Sequence, residues 1–186
     1  MLISRFPNNN AEDRITELEE QYGISLPYQY REFLCKYNGG NTPDTGYKAG
    51  RSSTDVRGFY GFGDVEFSLD KIGLDEWLQE NIFPIACDAF GNEIVIALDD
   101  ESYGKIYFCD HEEGFSRVLV GDDFKTFVQK CKSKKIDPDT RMPIEEREAR
   151  LIERGRGHVI TEGLRKMWQA EIDKYGNMVQ ERVIFK

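Results

Sequence analysis

Apolar positions along this 186-residue chain come in short blocks separated by glycine, asparagine, aspartate and proline, and the period inside the blocks changes along the chain. From Ala11 it is helical. Ala11, Ile15, Leu18 and Tyr22 recur with Glu12, Asp13, Glu17, Glu19 and Glu20 between them, and Gly23 can supply a left-handed stop. A second helix is expected to enter at Ser25 to Pro27, because a proline in the first turn gives up only an N–H without a helical partner. Tyr30, Phe33, Leu34 and Tyr37 form its stripe, and Asn38-Gly39-Gly40 ends it.

Residues 41–66 show no sustained period and are rich in turn formers, so an exposed loop is expected there, with a strand over Val56 to Phe62. Gly61-Phe62-Gly63 does not read as a phosphate loop: position 66 is glutamate, and no Gly-Lys-Ser/Thr follows. Asp70 is placed as the cap of a short helix carrying Ile72, Leu74, Trp77 and Leu78. The period then becomes two. Strands at Ile82–Ala86, Ile94–Leu98, Lys105–Cys109 and Ser116–Val120 are joined by polar turns, which predicts an antiparallel meander whose second strand is apolar on both faces. Asp122-Asp123 caps a helix with Phe124, Phe127, Val128 and Cys131 inward, expected to run to about Lys135. The pattern as a whole predicts an α+β fold, a mainly antiparallel sheet flanked by helices. Residues 1–136 form the domain, and residues 137–186 a C-terminal extension. That extension has a charged helix from Ile144 to Arg154 with Glu146 paired to Arg150, a second helix capped by Thr161 and carrying Leu164, Met167, Trp168, Ile172 and Tyr175, and a last strand between Val179 and Phe185. The Trp168 helix could complete the core, cover a sheet edge or pair with a second copy, which leaves a homodimer open.

Composition narrows the class. Apolar residues at 39% and aromatics at 12% suit a folded chain, and 32% charged residues with a mean hydropathy of -0.59 imply a well-solvated surface. No apolar signal core opens the chain and no stretch is long enough to span a bilayer, so a cytoplasmic location without membrane contact is expected. Cys35, Cys87, Cys109 and Cys131 are far apart, without a C-x-x-C pair, and read as free thiols. The net charge of -9 is uneven: residues 51–100 hold three basic against eleven acidic residues. Such a surface repels phosphate backbones and attracts cationic proteins, which disfavours direct nucleic-acid binding.

The entry Leu26-Pro27, then Phe33-Leu34, Asn38-Gly39-Gly40, Phe83-Pro84-Ile85-Ala86, Asp88 with Gly91-Asn92, and Lys105-Ile106-Tyr107 leading to Asp110-His111 together resemble the SUKH superfamily over about residues 11–132. That superfamily includes the yeast cell-wall assembly regulators and bacterial immunity proteins that neutralise polymorphic toxins. The resemblance implies a SUKH-like α+β fold and a cytoplasmic immunity protein, an antitoxin, that neutralises a cognate toxin, and the acidic surface points to a basic nuclease domain as that partner. A non-enzymatic regulatory scaffold like the fungal members is the alternative. The matched residues read as backbone formers, with Asn92 hydrogen-bonding a nearby turn. A hydrolase built on Asp110, His111 and Glu112 would need a nucleophile or metal beside them, and the two histidines lack the spacing of a zinc site. No cofactor or metal is expected. The contact surface is placed on the irregular acidic segments, at Asp44, Tyr47, Asp55, Tyr60, Asp64, Glu66, Asp99, Asp100, Glu101 and Tyr103, with the tyrosines as anchors.

Overall fold

A computed structural model describes residues 1–185. In chain order the elements are β1 (Leu2–Arg5), α1 (Ala11–Tyr22), α2 (Tyr28–Tyr37), β2 (Gly40–Asn41), β3 (Thr45–Ala49), β4 (Ser52–Asp55), β5 (Gly58–Phe59), α3 (Leu74–Gln79), β6 (Ile82–Cys87), β7 (Glu93–Ala97), β8 (Ile106–Asp110), β9 (Ser116–Gly121), α4 (Phe124–Lys130), β10 (Lys132–Ser133), α5 (Ile144–Glu153), α6 (Glu162–Tyr175) and β11 (Glu181–Arg182). The fold is α+β. The chain divides into two compact units, unit 1 comprising Met1–Lys134 with the segment from Glu181 onward, and unit 2 comprising Lys135–Gln180.

Unit 1 is built on an eight-stranded antiparallel sheet in the order β11-β1-β2-β5-β6-β7-β8-β9. β6 to β9 are the meander that the period of two predicts. Strand alternation sorts β7 between two layers: Ile94 and Ile96 enter the main core with α1, α2 and α4, while Val95 joins Ile82 and Cys109 on the opposite face, against Trp77 of α3. Pro84 lacks a backbone donor, and the β6–β7 register slips by one residue between Pro84 and Ala86, a bulge where an unpaired position is tolerated. The centre of the main core is aromatic. Phe124 lies 5.0 Å from Phe33 and 5.2 Å from Tyr30, centroid to centroid, in the tilted and edge-on arrangements that ring quadrupoles favour.

The segment Asn38-Gly39-Gly40 is more than a helix stop. Asn38 sits at φ 51°, and its buried amide donates to the carbonyls of Pro7 (2.6 Å) and Phe62 (3.0 Å) and accepts from the Phe62 N–H (2.8 Å). A Cβ at Gly39 would lie 2.4 Å from the Tyr60 carbonyl oxygen, so only glycine lets β2 and β5 approach here.

Several boundaries differ from those the pattern predicts. The expected loop over 41–66 contains a hairpin, β3–β4, which with β10 forms a second antiparallel sheet. Thr45, Tyr47 and Ala49 alternate inward, a strand period that the surrounding turn formers conceal. The Val56 to Phe62 strand shrinks to β5. Ser68 rather than Asp70 caps a single 3-10 turn at Leu69–Lys71, and α3 starts separately at Leu74. α4 ends at Lys130, before the expected Lys135, because Cys131 turns extended and Lys132-Ser133 pair with Gly46 and Thr45.

Unit 2 holds α5 and α6. Thr161 caps α6, its hydroxyl accepting from the Leu164 N–H at 3.2 Å. Arg150 bonds Asp139 at 3.1 Å instead of the expected Glu146. Met142 and Arg147 are its only buried residues among those described.

Candidate functional site

At one end of the unit 1 sheet the β6–β7 and β8–β9 turns are locked together by three side chains. Asp88, 2% exposed, accepts through Oδ1 from the Phe90 N–H (2.8 Å) and the Asn92 N–H (2.9 Å), and through Oδ2 from Asn92 Nδ2 (2.7 Å) and the Thr54 hydroxyl (3.1 Å). Asn92 in turn accepts through Oδ1 from the His111 N–H at 3.1 Å, with His111 Nδ1 2.8 Å away. An amide oxygen can only accept, so His111 carries its proton on Nδ1. This hub leaves the Asp88 carboxylate no lone pair aimed at solvent, and its product is a rigid turn holding Phe90 outward at 72% exposure.

On the outer face of the sheet, next to the hub, Glu93 stands opposite Cys87 of β6 and Cys109 of β8. The Tyr60 hydroxyl donates to its carboxylate, at 2.9 and 3.0 Å to the two oxygens. Burial lifts the Glu93 carboxyl to about 7 and the nearby Asp88 charge adds to the rise, against the lowering by the Tyr60 hydrogen bond. Burial also raises the Tyr60 hydroxyl, and the Glu93 charge raises it further. The Cys87 and Cys109 thiols are pushed up to about 11, chiefly by burial. These thiols are therefore protonated at neutral pH, which leaves them poor nucleophiles. Cys109 and Cys131 are buried and Cys35 and Cys87 half-buried, all free thiols. Among the described residues no three His, Cys, Asp or Glu side chains converge as a metal site would, and no helix is long and apolar enough to cross a membrane.

The same face carries exposed apolar groups. Phe115, 46% exposed and at φ 59°, meets the Trp77 ring edge-on at 5.4 Å. Leu119, 49% exposed, stands opposite Tyr107 in β8. Asp110, Glu112 and Glu113 occupy the turn beside Phe115. On α3, Asp75 and Glu76 flank Trp77, and Glu80 closes the helix and pairs with Arg117 at 3.0 Å.

The profile of the SMI1 / KNR4 family (SUKH-1) matches residues 10–130. The chain belongs to this family. A search of curated proteins finds it 32% identical over 160 residues to the SPbeta prophage-derived uncharacterized protein YokK of Bacillus subtilis (strain 168), covering 73% of this chain and 81% of that protein. No solved structure matches. Within the SMI1 / KNR4 match lie Asn38-Gly39-Gly40, Asp88, Asn92 and His111, so the residues that carry the family resemblance are those that join turns and strands in unit 1.

The ten contact residues expected from the sequence do not share one surface of this SUKH-1 domain. Tyr47 and Tyr60 are corrected: both are core residues, 5% and 8% exposed. The Tyr47 ring packs edge-on against Phe127 at 5.1 Å and Tyr60 is tied to Glu93, so neither ring can serve as an exposed anchor. Asp55 lies at the hub end, accepting from the Ala89 N–H at 3.3 Å. Asp99, Asp100, Glu101 and Tyr103 form the β7–β8 turn at the opposite end of β7, roughly 20 Å away by strand rise. There Asp99 accepts from the N–H groups of Glu101 (3.1 Å) and Ser102 (2.9 Å) and from the Ser102 hydroxyl (2.5 Å), bonds that hold its carboxyl below the usual range, and Tyr103 donates to the Ser25 carbonyl at 2.9 Å. Asp64 and Glu66 share a third loop, paired with Lys71 and Arg57. Asp44 sits in the turn before β3 at φ 54°. Phe90, Phe115, Leu119 and Glu93 are not marked as contact or site residues by the sequence pattern. The available signal was an aromatic inside a polar turn, as in Asp88-Ala-Phe-Gly91-Asn92 and Glu113-Gly-Phe-Ser116.

Proposed function

We propose that this protein is a cytoplasmic, non-enzymatic immunity protein that binds a cognate toxin with a cationic nuclease domain and blocks it. The observation that carries this reading is the division of labour in unit 1. Its buried polar groups, Asp88 and Asn92, are spent on internal hydrogen bonds, while its exposed aromatics stand among carboxylates. Lys135–Gln180 contains nine basic and nine acidic residues, so the net charge of -9 belongs wholly to unit 1. A nuclease keeps a cationic surface to hold phosphate, and an acidic protein with apolar anchors gains association rate and specificity against such a surface. Family membership supports the reading, since the SUKH proteins include toxin immunity proteins, and so does a relative named as prophage-derived.

Co-expression with a toxin-like domain encoded by a neighbouring gene tests it, and the lack of any such gene counts against the reading. Cells carrying both are expected to survive, and the two proteins to elute as one complex whose association slows with added salt. Failure to rescue from that toxin, together with no complex between the purified proteins, would overturn the reading.

A further inference from the structure

The large sheet of unit 1 ends on β9, whose first four residues, Ser116–Leu119, are exposed or half-buried while Val120 and Gly121 are buried. β9 has β8 on one side and, among the described residues, no further strand on the other. A free edge is a row of backbone donors and acceptors ready to pair, and folded proteins usually blunt it with lysine, proline or brevity. β9 is six residues long, Ser-Arg-Val-Leu-Val-Gly, with neither proline nor lysine. Its one cation, Arg117, is held by Glu80, and Lys130 of α4 donates to the Val120 carbonyl at 3.0 Å, which leaves Ser116–Leu119 as the uncapped stretch of the edge. Half-exposed Leu119 lies on the strand itself, and the Phe115–Trp77 pair stands at its start.

We infer that β9 and the strip formed by Trp77, Phe115 and Leu119 are a strand-addition site, and that its occupant is an extended segment of the toxin with lysine or arginine flanking apolar residues. The inference rests on the immunity reading and places its contact. Backbone pairing along β9 supplies affinity that does not depend on side chains, and alternate side chains of the added strand fall on the apolar strip. The charge of the rim selects the sign of the occupant. Asp110, Glu112 and Glu113 stand at one end of the strand, Asp122 at the other, and Asp75 and Glu76 on the helix that carries Trp77. A second copy pairing edge to edge would set two such rims against each other, which like-charge repulsion opposes.

The test uses the full chain and the purified toxin domain from which it rescues cells. Amide exchange over residues 116–119 is expected to slow at least tenfold when the toxin binds. Leu119→Arg should raise Kd at least tenfold. Phe115→Gly, which removes the ring at a positive φ that glycine adopts freely, should raise it several-fold with an unchanged circular dichroism spectrum. Glu112→Lys with Glu113→Lys should slow association at low salt and converge on the wild-type rate at high salt. A bound toxin that leaves exchange over 116–119 unaltered, or that tolerates both Leu119→Arg and Phe115→Gly, overturns this docking site and leaves the immunity reading standing. Absence of both complex and rescue with the wild-type protein overturns the two together.

Discussion

In unit 1 Tyr30, Phe33, Tyr37, Phe59, Phe83, Phe124 and Phe127 are all 2% exposed or less, whereas unit 2 has Met142 and Arg147 as its only buried residues among those described. The charges are distributed the other way. Unit 2 is neutral and laced with ion pairs, Arg147–Glu171, Arg150–Asp139, Arg165–Glu148 and Lys166–Glu162, while unit 1 carries the net charge of -9. A unit that buries a large aromatic core can tolerate self-repulsion on its surface and use it for recognition. A unit as short as the second has little apolar area to bury and depends on local pairing. The comparison predicts that apolar truncation dominates in one unit and polar truncation in the other.

The largest effect is expected at the aromatic centre. Phe33→Ala leaves a cavity among Tyr30, Tyr37, Phe59 and Phe124 and should cost about 3–5 kcal/mol in urea unfolding of unit 1. A loss under about 1 kcal/mol would mean that this cluster is not where the unit's stability lies. Next comes the hub. Asp88→Ala strands the N–H groups of Phe90 and Asn92 and should cost about 2–4 kcal/mol. It should also free the Phe90 turn, read as faster amide exchange at residues 89–92.

The contrast between cluster and hub also shows what the sequence makes legible. Helix stripes such as Tyr30-Phe33-Leu34-Tyr37 and the meander from β6 to β9 are read directly, because burial on one face imposes its period on neighbouring residues. The β3–β4 hairpin is not, since its strand, Thr45–Ala49, is short and carries Gly46 and Lys48 on the other face. Nor is the candidate surface. The acidic loops are visible as composition, but the distance between Asp55 and Asp99 is set by strand register. The burial of Tyr47 and Tyr60 depends on Phe127 and Glu93, remote in the chain. The edge position of β9 follows only from strand order, a non-local property.

Glu93 brings pH into the contrast, being a half-buried carboxyl of unit 1 without a cation beside it. Its folded value is about 7 against an ordinary value of 4.5, so the folded state holds its proton more tightly than the unfolded chain. Stability from this group is fully present below about pH 4.5 and is lost as pH rises to about 7, by up to about 3 kcal/mol. Denaturant melts at pH 5 and pH 8 should show unit 1 weaker at the higher pH. Glu93→Gln should remove most of that difference, and an unchanged slope in the variant would assign the pH dependence elsewhere.

The smallest effect belongs to unit 2 and separates pairing from packing. Arg147 is buried with Nη1 2.7 Å from Glu171 and Nε 3.1 Å from the Met142 carbonyl, its guanidinium lies 5.6 Å from the Trp168 ring centre, and Nη2 has no hydrogen-bond partner. Arg147→Ala removes the ion pair and the side-chain volume together and should cost about 2 kcal/mol, below the figure for a fully buried pair because Glu171 keeps its access to water. Arg147→Met retains the volume against Trp168 and removes the unpaired donor, so it should cost about 1 kcal/mol less than the alanine variant. Amide exchange of α5 and α6 reads both changes. If methionine proves as damaging as alanine, the Glu171 and Met142 bonds outweigh packing in this unit; if it proves harmless, unit 2 relies on apolar contact after all and differs from unit 1 only in its size.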